Sequence, residues 1–261
     1  MSQGFPTRPA IATTEEQSPE EAWRLDDALL PDVDALVIED DTPVDNLISE
    51  KQQRLLTEPL YSNASALKTE TFLVAANVGV FYAIKQPPLV PDVFLSLDVE
   101  VPQNWHEKQN RTYLMWEFGK PPDVVIEIVS NREGNELGSK LVDYAQIGIA
   151  YYAVFDPLHQ LGDATLRTFE RRGHRFQEME NAWFADIELG LTLWQGKFEG
   201  KQEEWLRWSD LNGDIIPTGF ERAEQERQRA EQERLRAEQA EAKADRLAAR
   251  LRALGIDPEA E

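Results

Sequence analysis

PPDVVIEIVSNREGNELGSKLVDYAQIGIAYYAVFDP, residues 121–157, decides the fold. Pro121 and Pro122 forbid a helix before Asp123 and deliver the chain extended. Val124–Val129 then reads as a strand buried on both faces, interrupted in composition only by Glu127. Further on, Leu137, Leu141, Tyr144 and Ala145 recur at the spacing of one buried helical face. They predict a helix over 135–147 that Gly148 stops. YYAVFDP is a second apolar strand. Strand, helix and strand in this order form a βαβ unit, so the two strands are predicted to run parallel in one sheet.

Glu127 is the anomaly in this pattern. Burying an ionised carboxylate without a partner costs several kcal/mol, so the residue needs a reason to be there. In an extended strand, residues 123, 125, 127 and 129 share a face, and Asp123 and Glu127 therefore point the same way. Val124, Ile126 and Ile128 make the other face wholly apolar. A face with two carboxylates predicts a site opening on one side of a sheet. Lys140 follows Leu137 by three residues and precedes Tyr144 by four, so it borders the buried helix face. Its aliphatic stem can run along the core and bring the ammonium towards Glu127. On spacing alone, a surface lysine is the commoner outcome. A third charge, Asp92, follows Pro91 at the start of PDVFLSLDVEV (91–101), a predicted strand. There an ordinary Pro-Asp turn is the bland alternative.

The composition sets the outer bounds. The chain has 261 residues, 41% of them hydrophobic, enough for one domain with appendages. It has no cysteine, which excludes disulfides, thiolate zinc sites and a cysteine nucleophile. His106, His159 and His174 are scattered without metal-ligand spacing. MSQGFPTRPAIATTEEQ has neither the basic start nor the apolar core of a signal peptide. No apolar stretch approaches the roughly 20 residues that span a bilayer. The expectation is a soluble, cytoplasmic protein with no membrane partner. A net charge of −21 argues against a general nucleic-acid binder. Its distribution softens that objection, because the first 50 residues hold 13 acidic and 2 basic side chains.

Residues 1–44 read as a disordered acidic tail, within which EEAWRLDDALL offers a short amphipathic turn for docking. Residues 45–219 read as the folded domain. DNLISEKQQRLL opens it as an amphipathic helix packed by Leu47, Ile48, Leu55 and Leu56. TFLVAANVGVFYAI is a predicted hairpin turning about Asn77 and Gly79. TLRTFERRGHRFQEM is another, turning at Arg172–Gly173. LTLWQGKFEGKQEEWLRW closes the domain as a β-rich segment whose tryptophans serve packing. From residue 220 to 261 the chain becomes heptads of the type RAEQERQ. Ala223, Ala230, Ala237, Ala244 and Leu251 share one heptad position, with Glu226, Glu233, Ala240, Leu247 and Leu254 three residues later. That seam turns apolar only towards its end. A coiled-coil partner through 220–254 and a solvated single helix fit it equally, and a homodimer is expected to form mainly through the domain.

QQRLLTEPLYS, PPLVPDVFLSLDV, KPPDVVIEIVSN, GNELGSKLVDYAQIGIAYYAVFDP and GLTLWQGKFEG together resemble a restriction endonuclease domain family abundant in cyanobacteria. That family lies within the PD-(D/E)XK nuclease superfamily, and RAEQERQ-type tails often accompany its domains. The resemblance covers residues 45–217. It implies an α/β fold, a central mixed β-sheet flanked by helices, here followed by the long C-terminal helix. It also implies a magnesium-dependent endonuclease acting on DNA, with manganese as a substitute ion. Asp92 matches the aspartate of the Pro-Asp motif and Glu127 the acidic residue of the next strand. Those two, with the backbone carbonyl of Ile128, are the implied metal ligands. The superfamily's lysine slot two residues after Glu127 holds Val129, and Lys140 occupies the family's matching GSK position. Asp92, Glu127 and Lys140 are thus the implied catalytic residues, the lysine positioning water or stabilising the transition state. An early-helix glutamate often completes such sites, and Glu50 and Glu58 are the candidates. The competing reading is a catalytically weak or inactive nuclease-fold scaffold that works through its acidic tail and C-terminal helix.

Overall fold

The computed structural model describes residues 46–130 and 135–254. The acidic tail at 1–44, with its EEAWRLDDALL motif, lies outside the described residues. Asn46 caps α1 (Leu47–Ser62), its side-chain oxygen accepting from the amides of Ile48 and Ser49. Leu55 and Leu56 of α1 are buried as expected, but Leu47 is 80% exposed and Ile48 also faces solvent. The buried stripe runs instead through Ser49, Gln52, Gln53, Leu56 and Leu60. Those positions repeat at three- and four-residue steps, and Leu47 falls on the opposite side of the cylinder.

The segment after α1 does not form the predicted hairpin. β1 (Phe72–Ala76) pairs antiparallel with β3 (Val93–Leu97), and β2 (Val80–Phe81) pairs parallel with β4 (Tyr113–Leu114). Asn77 does reverse the chain, with a left-handed φ of 55°. However, its amide donates to the Asp92 carbonyl, and that of Val80 to the Leu89 carbonyl. Both arms of the turn therefore take partners from downstream chain and none from each other. β3 ends at Leu97, short of residue 101, where Asp98 adopts a positive φ of 56°. A short helix, α2 (Met115–Phe118), ends at Gly119, and the chain then enters β5 (Val124–Ile128), every residue of which is buried.

α3 (Ser139–Ile147) starts four residues later than the spacing predicts. Asn135, at φ 61°, bends the chain into a turn in which the Gly138 amide donates to the Asn135 carbonyl. Gly148 stops the helix with φ 99°. β6 (Tyr151–Phe155) then pairs parallel with β5. β7 (Leu166–Arg172) and β8 (Arg175–Glu178) form a hairpin whose last pair is Arg172 with Arg175. Its two turn residues are Gly173 and His174, one step later than expected, because Gly173 supplies the positive φ. The remaining strands are β9 (Trp183–Phe184), β10 (Leu189–Phe198) and β11 (Lys201–Ser209), and the last element is α4 (Gly219–Ala253).

The result is a mixed α/β fold around a six-stranded sheet of order β1-β3-β5-β6-β7-β8. The predicted strands at 92–101, 123–130 and 150–156 are neighbours in it. One face, carrying Val93, Leu95, Val124, Ile126 and Phe155, packs on Leu56 and Leu60 of α1 and on Leu206 and Trp208 of the three-stranded sheet β11-β10-β9. The other, carrying Phe94, Val125, Val129, Tyr152 and Val154, packs on Tyr144 of α3. Each such aliphatic side chain contributes about 1.5–3 kcal/mol by leaving water. Burial on both faces is what makes β5 an apolar run, and Glu127 belongs to the α3 side. Among the described residues no helix is long and apolar enough to cross a membrane.

Gln52 joins α1 to the second sheet. Its side chain donates to the Leu206 carbonyl at 2.8 Å and accepts from the Leu206 amide at 3.0 Å, on the edge of β11 away from β10. At the other end, Thr218 and Glu221 form a capping box at the start of α4. Arg207, fully buried in β11, pairs with the Glu221 carboxylate at 2.7 Å and donates to the Ile216 carbonyl at 3.0 Å. Beyond this root, no residue of the 35-residue helix is buried.

Candidate active site

Register brings the first two acidic groups together. Val93 pairs with Ile126 and Phe94 with Val125 across β3 and β5. One step further along the ladder, Asp92 stands opposite Glu127, and the pleat turns both to the same face. The Ile128 amide donates to Asp92 Oδ2 at 2.6 Å, fixing that carboxylate at the head of β3. Residue 128 thus touches the site through its N–H. The βα turn and α3 supply the rest. Lys140 Nζ donates to Glu127 Oε2 at 2.9 Å, and the Tyr144 hydroxyl donates to Glu127 Oε1 at 2.6 Å. Lys140 and Tyr144 are one helical turn apart, so one face of α3 presents both donors. The Lys140 side chain is 31% exposed while that of Glu127 is 2% exposed, which puts the ammonium at the solvent edge of a buried carboxylate.

The electrostatics follow from this geometry. Burial raises the Glu127 carboxyl to about 8, and Asp92 pushes in the same direction, against partial relief from Lys140 and Tyr144. Burial alone would lower Lys140, but Glu127, with Glu136 and Asp92 behind it, leaves its pKa raised. Tyr144 is raised by burial and by the neighbouring Glu127, so it remains a hydroxyl donor. Val129, in the superfamily's lysine slot, is buried in the core between the sheet and α3.

Neither early-helix glutamate reaches this place. Glu50 pairs with Arg54 at 2.7 Å, and Glu58 accepts from the Ser62 hydroxyl and the Gly219 amide. The contribution of α1 is Gln53, whose amide lies 3.4 Å from Asp92 Oδ1 and exchanges hydrogen bonds with the Asn77 side chain. Asp123 is also elsewhere. Its carboxylate takes the Lys120 ammonium at 2.7 Å and the Leu97 amide at 2.8 Å. Sharing a face with Glu127 does not bring it close, because four strand residues span about 13 Å.

The family model described as "Uma2: Putative restriction endonuclease" matches residues 37–195, more than half of the chain. The chain belongs to the Uma2 family. No curated protein matches it. The Uma2 match stops inside β10, whereas the packed domain continues through β11 to the root of α4.

Three polar residues of this candidate site do not follow from the charge pattern of the sequence. Gln53 is not an acid, although a glutamine on the buried stripe is itself a signal. Tyr144 was read as core packing alone. Glu136, 3.7 Å from the Lys140 ammonium, lies in the turn that the predicted helix had absorbed. Among the described residues, no three His, Cys, Asp or Glu side chains gather into a metal-ligand group. The acidic donors are therefore the pair Asp92 and Glu127. That pair suits a hard divalent cation in chemistry: it offers only oxygen, Asp92 raises the proton affinity of Glu127, and such ions accept water in the remaining positions.

Proposed function

We propose that this Uma2 domain is a divalent-metal-dependent endonuclease that hydrolyses phosphodiester bonds in DNA, with magnesium as the ion and manganese as its substitute. The observation that carries this reading is Glu127, a carboxylate buried in a strand, gripped by Lys140 and Tyr144 and near enough to Asp92 to feel its charge. In this reading Asp92 and Glu127, with the Ile128 carbonyl, hold the ion, which when bound neutralises phosphate charge and acidifies water. Tyr144 fixes the rotamer of Glu127 by donating to one oxygen, and each carboxylate oxygen retains a further lone pair. Lys140, cationic at neutral pH, orients the attacking water or stabilises charge developing on the phosphate. The Ile128 amide holds Asp92 in register with Glu127.

The test is a calorimetric magnesium titration of the full chain, paired with cleavage of plasmid DNA. Glu127→Gln, which removes charge and keeps shape, is expected to abolish both binding and cleavage. Lys140→Met is expected to keep binding and lose cleavage. Equal magnesium affinity in wild type and Glu127→Gln overturns the assignment. A catalytically weak or inactive scaffold working through its acidic tail and C-terminal helix is the second reading, favoured by Val129 in the lysine slot and by a 35-residue helix with no buried residue. It requires that the wild-type chain cleave DNA no better than Glu127→Gln or only marginally better.

A further inference from the structure

Glu136 has no role in the site as described, yet it is built like a member of it. It stands four residues before Lys140, in the turn leading into α3, where the Tyr152 hydroxyl donates to its backbone carbonyl at 3.0 Å. Its side chain is only 6% exposed. Oε1 lies 3.7 Å from Lys140 Nζ, too far for a direct hydrogen bond, and Oε2 has no hydrogen-bond partner among the described residues. A buried carboxylate oxygen without a donor has lost its water and gained nothing in return. The donor it lacks is close at hand. An ammonium has three N–H groups, and among the described residues Lys140 Nζ makes one hydrogen bond, to Glu127.

The proposed chemistry asks two incompatible things of Glu127. It must hold a cation, and it now holds the lysine at 2.9 Å. A divalent ion on Glu127 repels an ammonium so placed. From this we infer that Glu136 is a positioning residue: it receives the Lys140 ammonium when Glu127 engages a cation. The lysine then moves between two carboxylates and is not released to solvent. The (i, i+4) placement suits this, because Glu136 and Lys140 are neighbours along the start of α3 whatever Glu127 does. This inference rests on the nuclease reading, but it can be tested without metal, since neutralising Glu127 also removes the first anchor.

The experiment follows the Lys140 side chain by NMR in the full chain with isotope-labelled lysine at pH 9, above the value of about 8 at which the Glu127 carboxyl titrates, its signal identified by its loss in Lys140→Met. In metal-free Glu127→Gln the Lys140 signal is expected to stay immobilised, held by Glu136. In Glu127→Gln/Glu136→Gln it should acquire the mobility of a surface lysine. Glu136→Gln alone should hold Lys140 without metal and release it at saturating magnesium. Identical Lys140 mobility in the Glu127→Gln single and double variants overturns the inference, whatever the metal titrations show. If wild type binds no magnesium, the nuclease reading fails, and the metal-free comparison still decides on Glu136. In cleavage assays Glu136→Gln should lower kcat by about a hundredfold, the scale of an ångström-sized misplacement, with KM unchanged and magnesium bound more weakly, because the metal-bound state loses the ammonium's second anchor. Glu136→Asp, which keeps the charge one methylene further away, should recover part of the loss. Should variants with Glu136→Gln not fold, Glu127→Gln/Glu136→Asp carries the comparison, with Lys140 more mobile than in Glu127→Gln expected and equal mobility overturning the inference.

Discussion

Glu127 makes the stability of this domain depend on pH in an unusual direction. In the fold its carboxyl titrates at about 8, and in the unfolded chain near its ordinary value of about 4.5. Between those values the unfolded state holds fewer protons than the native state, so stability falls as pH rises and levels off above the upper limit. Glu127→Gln has no proton to lose. Its melting temperature is expected to decline less than that of wild type between pH 5 and pH 8, and to exceed it at pH 8 in the absence of divalent ions. An unchanged slope in parallel thermal melts would show that Glu127 is ionised in the fold throughout this range. Magnesium should act in the opposite sense, binding more tightly as pH rises, because its ligands must be deprotonated.

At the scale of elements, α1 does more than cover the sheet with leucines. Gln52 supplies both halves of a missing strand pair to Leu206 on the outer edge of β11. Gln52→Leu would keep the volume and orphan a buried amide and carbonyl. Denaturant unfolding should report a loss of about 2 kcal/mol, against a larger loss for Gln52→Glu, whose buried carboxylate would face the Leu206 carbonyl. This contact also marks the limit of sequence reading. Strands β5 and β6 and the helix between them were legible because apolar period and glycine stops are local. The hairpin expected around Asn77 was not there, because strand pairing is decided by chain as distant as Asp92. Asp92, Glu127 and Lys140 stood out as charges in apolar settings. Gln53 and Glu136 did not, since their importance lies in contacts made across the fold, and neither residue type is unusual in its own stretch.

At the scale of the whole chain, the domain and the long helix meet at the ion pair of Arg207 with Glu221 and at hydrogen bonds around it. Arg207 is buried and faces the carboxylate of Glu221 at 2.7 Å, and Arg222 reaches the Ser62 carbonyl at 2.6 Å. Glu221→Ala leaves a buried guanidinium without its anion and should cost about 2 kcal/mol, less than a wholly buried pair because Glu221 is partly exposed. A chain ending at Gln228 should keep wild-type stability, since it retains that pair and loses only exposed turns. If it unfolds earlier, the distal helix packs on the domain. The root has a kinetic meaning as well. Starting a helix is its costly step, and each later residue adds one hydrogen bond at little cost. By holding the first turn of α4 ready-formed, Arg207 and the Thr218–Glu221 box make the domain the nucleus from which the helix grows. Helicity should therefore fray in one direction, with amide exchange slowest just after Arg222 and fastest towards Leu254. The same residues cut free as a peptide should be less helical than when they grow from the domain.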